Sequence, residues 1–201
     1  MTAALTAKGR ATRARIVESA ALVLREVGPV ATLDDIRERS GTSKSQLFHY
    51  FPEGKDQLLL AVAQYEADRV LSDQQPYLSC LDTWKAWGLW RDAVVARYEA
   101  QGDTCPLGTL FQQVGRSTPG ARAIVAELLR SWQEHLAAGI RALRDAGLLP
   151  ASYDVDGAAA SLLAGIQGGV SIMLATGRAD HLKAAVDWSI TQMREAAVPV
   201  R

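Results

Sequence analysis

Thr32 to Lys55, TLDDIRERSGTSKSQLFHYFPEGK, reads as two short helices joined by a tight turn. Thr32 suits an N-cap, and Asp35, three residues on, can complete a reciprocal capping pair. Ile36 is the inward anchor of the first helix. Gly41 stops that helix, because glycine adopts left-handed backbone without a Cβ clash. Ser43 opens the second helix, with Gln46 placed to reach back to it. This helix, Lys44 to Phe51, ends at Pro52 and sets only Leu47 and Phe51 on an inward face. Lys44, Ser45, Gln46, His49 and Tyr50 are left outside. Two turns with so little to bury make poor core and look outward for a partner. A helix-turn-helix entering the DNA major groove fits the pattern, and so does a plain helical hairpin with a solvated face.

Working outward, Thr12 to Val27 is amphipathic, with Ile16, Ala20, Val23, Leu24 and Val27 on one face and Gly28 at its end. After the hairpin, Lys55 to about Asp73 continues as a helix. A cation at a helix start opposes the dipole, so Lys55 is better explained if it faces phosphate.

TRARIVESAALVLREVG followed by TLDDIRERSGTSKSQLFHYFPEGKDQLL resembles the N-terminal domain of the tetracycline-repressor (TetR) family of one-component regulators. The likeness covers roughly residues 12–58 and takes in Ile16, Ala20, Gly28, Thr32, Ile36, Gly41, Ser43, Leu47, Phe51 and Lys55 in order. The chain also departs from the family. Pro29 stands where an aromatic is usual, and the Gly28–Thr32 turn is one residue short. Phe48 replaces the usual tyrosine, so that position has no phenolic hydroxyl for a phosphate. The Phe-Pro-Glu-Gly-Lys turn is one residue longer than the common form, resembling the LmrA/YxaF-like branch.

The resemblance implies an all-α protein of about nine helices. A helix-turn-helix DNA-binding domain would span residues 1–58, and a helical effector-binding and dimerisation domain residues 59–201. It implies a homodimeric regulator, a repressor, that binds a palindromic operator in double-stranded DNA and releases it on meeting a small, largely apolar effector. Lys44, Ser45 and Gln46 would reach base edges, lysine favouring guanine and glutamine adenine. Thr32, Thr42, Ser43, His49, Tyr50 and Lys55, with Arg10 and Arg13, would hold phosphates and set register. Gln46 has a competing job, because a glutamine locked in a capping box loses its base contact.

Charge is consistent with this. The chain carries 22 basic and 22 acidic residues, but through Lys55 there are nine Lys/Arg (8, 10, 13, 15, 25, 37, 39, 44, 55) against six acids (18, 26, 34, 35, 38, 53). Lys8, Arg10, Arg13 and Arg15 all precede Glu18 and read as a basic arm. A head of +3 suits phosphate contact, and a body of −3 stays off nucleic acid. Cys80 and Cys105 lack metal-ligand spacing and form no secreted disulfide framework. The N-terminus has charge without an apolar core segment, so no signal peptide is expected. The run Ala158–Ala175 is broken by Gln167, glycines and serines and is marginally short for a membrane span. A cytoplasmic protein without membrane attachment is expected.

In the body, a helix from Asp82 or Thr83 to about Ala100 puts Trp84, Trp87, Val94, Val95 and Tyr98 on one face with Arg91 in its middle. Either Arg91 snorkels or meets a carboxylate, or it is a pocket cation stacked on tryptophan. Phe111, Gln112, Trp132 and His135 lie on neighbouring helices, and together these residues describe either a small-molecule pocket or a plain core. Thr118 and Pro119 open a long helix that Gly147 ends. The next helix, AAASLLAGIQGGVSIMLATG, is apolar nearly all round and must be covered on both sides. With the last helix it resembles the pair through which TetR-like proteins dimerise, which would place Leu162, Gly165, Gly168, Gly169, Ile172, Leu182, Val186 and Met193 at an interface.

Catalytic chemistry has no spacing to stand on. There is no Gly-rich phosphate loop or nucleophile motif, and His49, His135 and His181 are scattered, so no catalytic residue, metal site or cofactor is expected and the protein reads as a non-enzyme. Two other classes stay open: a redox sensor working through Cys80 and Cys105, and a helical ligand carrier or enzyme with a vestigial head.

Overall fold

Side-chain caps set where several of the helices begin. In a computed structural model of the chain, which describes residues 5–102, 105–108, 110 and 118–197, the first helix α1 spans Ala7–Val27 because the Thr6 hydroxyl accepts the Gly9 N–H at 3.1 Å. It therefore starts five residues before the expected Thr12, and Lys8 and Arg10 of the basic arm sit on helix. Gly28, at φ 79°, ends it.

The remaining elements follow in order: a 3-10 turn Gly28–Val30, α2 Leu33–Ser40, α3 Lys44–Tyr50, α4 Lys55–Ser72, a 3-10 turn Tyr77–Ser79, α5 Trp84–Gln101, the helical turn α6 Pro106–Gly108, α7 Pro119–Asp145, α8 Val155–Thr176 and α9 Asp180–Glu195. No strand occurs among the described residues. The fold is all-α, as expected. Two compact units result: Met1–Arg69 with Pro106–Val125, and Val70–Cys105 with Ala126–Arg201.

In the first unit the head packs Ile16, Ala20, Leu24, Ile36, Leu47, Phe51, Leu58 and Val62, all essentially without solvent exposure. Beside them α1 and α4 are joined by a buried ion pair, Arg25 with Glu66. At the start of α7, a Cβ built on Gly120 would lie 2.9 Å from Leu60 Cδ1 of α4, so these helices meet too closely for a larger residue.

In the second unit α5 buries Trp87, Trp90, Val94, Val95 and Tyr98. Trp90 thus takes the inward place expected of Trp84. The reason lies outside the helix. Gln74 is buried, donates to the Val70 carbonyl at 2.9 Å and accepts the Trp90 indole N–H at 3.1 Å. Trp84 is half-exposed, with the Arg194 guanidinium 5.6 Å from its ring centroid. On the other side of the unit α8 closes on α9, which Gly169 makes possible: a Cβ there would fall 2.4 Å from Leu182 Cα.

Candidate functional site

The helix-turn-helix is fixed by two reciprocal caps. Thr32 accepts the Asp35 N–H, and Asp35 accepts the Thr32 N–H at 2.7 Å. Those hydrogen bonds, the Thr32 hydroxyl's first, hold the Asp35 carboxyl below its usual pKa. Ser43 and Gln46 repeat the arrangement on α3, with Gln46 Oε1 accepting the Ser43 N–H at 3.0 Å. Gly41 joins the two helices at φ 62°. Of α3 only Leu47 is buried, and Lys44, Ser45, Gln46 and His49 stand exposed.

The expected phosphate contacts separate into groups. Ser43, Thr32 and His49 are exposed, and Tyr50 is half-buried with its ring edge-on to His49 at 4.9 Å. Arg10 is exposed, with Nη1 donating to the Leu5 carbonyl, and Arg13 lies across Phe51, 5.1 Å from the ring centroid. Thr42 requires correction. It is buried, and its hydroxyl shares a 2.7 Å hydrogen bond with Ser40, so its side chain ties the turn and reaches no phosphate. Lys55 is half-buried and donates from Nζ to the Ala31 carbonyl at 2.7 Å. That bond binds the start of α4 to the turn before α2, a structural job the spacing did not suggest, and an ammonium keeps two further donors.

Charge in the head is partly spent internally. Arg37 pairs with Asp34 and Arg39 with Glu26. Lys8, Arg10, Arg13, Arg15 and Lys44 have no carboxylate partner among the described residues. Phe48, noted in the sequence only for the hydroxyl it lacks, is 40% exposed on α3. Its signal was an apolar residue one position off the inward stripe.

The body residues are mostly core. Trp87, Val94, Val95, Tyr98 and Trp132 are buried, and burial pushes the Tyr98 hydroxyl's pKa well up. His135 is half-buried and donates from Nδ1 to the Ser131 carbonyl at 2.8 Å, one turn back on its own helix. Arg91 is not stacked in an aromatic pocket. Its Nε and Nη2 donate to the two Asp187 oxygens at 2.6 and 2.8 Å, and Nη1 donates to Asp92. These hydrogen bonds raise the guanidinium's pKa, Asp187 contributing most, and hold the Asp187 carboxyl low. Arg91 thus meets a carboxylate, though Asp187 is itself partly exposed. Phe111 and Gln112 lie outside the described residues. The indole N–H groups of Trp87 and Trp132 and the amide nitrogen of Gln167 are buried without an acceptor.

The face expected at a dimer interface divides in two. Leu162, Gly169, Leu182, Val186 and Met193 are buried within the chain, and a Cβ on Gly165 would meet Ala185 at 3.1 Å. They are corrected to internal packing of α8 on α9. Gly168 and Ile172 face out: nothing lies within 4 Å of a Cβ built on Gly168. Ser161, Ala164, Gly168, Ile172 and Ala175 form an exposed stripe of mostly small residues. Beside it Trp188 is 66% exposed, over a groove of about 370 Å³ lined by Tyr153, Gly157, Ser161 and Gln192 among others. By length and composition Val155–Thr176 could cross a membrane, and 39% of its most apolar window is buried.

A double-capped helix-turn-helix head and a helical body whose α8 leaves a small-residue face uncovered among the described residues define a helix-turn-helix architecture. Comparison with known proteins identifies which kind. Residues 16–62 match the model of the tetR family of bacterial regulatory proteins, and residues 86–188 match that of the tetracyclin repressor-like C-terminal domain. The chain belongs to the TetR family. An HTH-type transcriptional regulator of Mycobacterium tuberculosis, Rv0196, is 42% identical over 59 residues, which span 29% of this chain and 30% of that protein. A TetR transcription regulator from Haloarcula marismortui is similar in structure at TM-score 0.81 and 19% identity, covering 94% of this chain and 100% of the other. SmeT of Stenotrophomonas maltophilia, solved in complex with triclosan, is similar at TM-score 0.71 and 19% identity, covering 94% and 92%.

Proposed function

We propose that this protein is a ligand-responsive transcriptional repressor that binds an inverted-repeat operator as a homodimer. The observation that carries the reading is α3: a seven-residue helix with one buried side chain and an exposed polar face of Lys44, Ser45 and His49. Such a helix earns its place by what it touches outside the chain, and the basic side chains without carboxylate partners favour a polyanion. Lys44 and Ser45 reach base edges, while Ser43, Thr32, His49, Tyr50, Arg10 and Arg13 position the backbone. DNA binding fits a cytoplasmic protein. The Phe51–Lys55 turn, FPEGK, supports placement in the LmrA/YxaF-like branch.

Dimerisation is supported by the outward stripe of α8 and by Trp188. A helix with mean hydropathy 1.6 over its most apolar window and only 39% of that window buried leaves apolar surface that a second copy of α8 and α9 would cover. Effector binding is supported by the two orphaned indoles. A buried N–H without an acceptor costs about 1–3 kcal/mol, and a ligand carrying acceptor oxygens would recover it. The triclosan complex of SmeT shows a small molecule bound in a protein of this fold. Sequencing the genomic DNA that co-purifies with the protein tests the reading. Recovered fragments should share an inverted repeat, and fragments without any common motif would contradict it.

A further inference from the structure

Phe48 is the one large apolar side chain exposed on α3. It stands four residues after Lys44, so the two share a face of the helix. Together with Leu33, Asp34, Arg37 and Leu47 they line a notch of about 200 Å³ between α2 and α3. Behind the ring, Cε1 would lie 3.8 Å from a Cβ built on Gly54, where the backbone turns at φ 72°. The ring is thus backed by the Pro52–Gly54 turn on one side and by the notch on the other, and its remaining 40% is bare. It carries no hydroxyl, so it has nothing to offer a phosphate.

Within the reading of α3 as a recognition helix, we infer that Phe48 reads sequence by packing on the C5 methyl of a thymine. In the major groove that methyl is the apolar mark separating thymine from cytosine, and a phenyl ring is one of the side chains that contact it. Lys44, one turn away, donates to guanine acceptors. Four residues of helix rise about 6 Å, which is about two base-pair steps. Each half-site therefore holds a thymine within about two base pairs of a guanine.

The experiment selects duplexes from a random-sequence library with the full-length protein and with Phe48→Ala. The wild type should enrich an inverted repeat with one thymine strongly preferred per half-site. Phe48→Ala should enrich the same repeat with that preference lost. Replacing the selected thymine by deoxyuridine, which removes only the methyl, should weaken wild-type binding roughly fourfold per half-site, the worth of one buried methyl group. It should leave Phe48→Ala unchanged. If Phe48→Ala does not fold, the deoxyuridine measurement on the wild type decides alone. A repeat whose binding ignores deoxyuridine at every thymine overturns the inference while leaving α3 as the recognition helix. Enrichment of no repeat at all removes both.

Discussion

Gln46 has two claims on one side chain. A bidentate contact to adenine needs its Oε1 and Nε2 together. In the free protein Oε1 is held by the Ser43 N–H, so reading adenine would require breaking the cap. Gln46→Ala should lower stability by about 1 kcal/mol through loss of the cap and leave base preference as it was. Thermal unfolding and a selected-site comparison check this, and unchanged stability with relaxed preference would assign Gln46 to the bases. Arg91 has no such ambiguity. It bridges α5 to α9 through both Asp187 oxygens, though both groups are partly exposed. A double-mutant cycle of Arg91→Ala with Asp187→Asn should give a coupling of at most about 1 kcal/mol. Because the folded Asp187 pKa is depressed, that coupling is full above the ordinary aspartate range and is lost as pH falls through the depressed value. An undiminished coupling at acid pH would contradict the assignment.

At the scale of elements, α8 makes the sharpest contrast, because two adjacent glycines do opposite things. Gly169→Leu drives a side chain into the Leu182 backbone and should cost several kcal/mol, leaving little folded protein. Gly168→Leu meets nothing within the chain and should stay folded yet sediment as a monomer. A stable dimer of Gly168→Leu would move the interface elsewhere. The sequence alone could not separate the two, since an apolar helix of small residues offers two equivalent faces and only the docking of α9 chooses between them. The helix-turn-helix was legible because its signals are local: Thr32 with Asp35, Ser43 with Gln46, and Gly41 each act within a few residues. The start of α1 was missed because Ala7 to Arg15 buries little, and one hydroxyl, Thr6, begins it. Trp84 was expected inward, and Trp90 was not, because tryptophans at 84, 87 and 90 fit more than one wheel, and the deciding acceptor, Gln74, lies before the helix. Thr42 was read as a phosphate ligand for want of knowing that Ser40 stands beside it, and the contact of Lys55 with the Ala31 carbonyl was missed for the same reason.

For the whole molecule, the proposed function joins a DNA-reading head to a body that answers a ligand. If the body binds an acceptor-bearing effector, Trp132→Phe should change stability by less than about 1.5 kcal/mol, since it removes an unpaired N–H and keeps most of the volume. Trp132→Ala should cost about 3–5 kcal/mol. An effector found by thermal-shift screening should lose affinity in Trp132→Phe, and an unaltered response would take that indole out of the site. The central claim, a two-fold dimer reading a two-fold site, is tested most directly by geometry. Anisotropy titrations would compare the selected inverted repeat with the same half-sites moved apart by about five base pairs, half a helical turn. Binding should fall to the level of a single half-site, because a dimer cannot present both recognition helices to opposite faces of the duplex. Equal affinity for the two duplexes would contradict it.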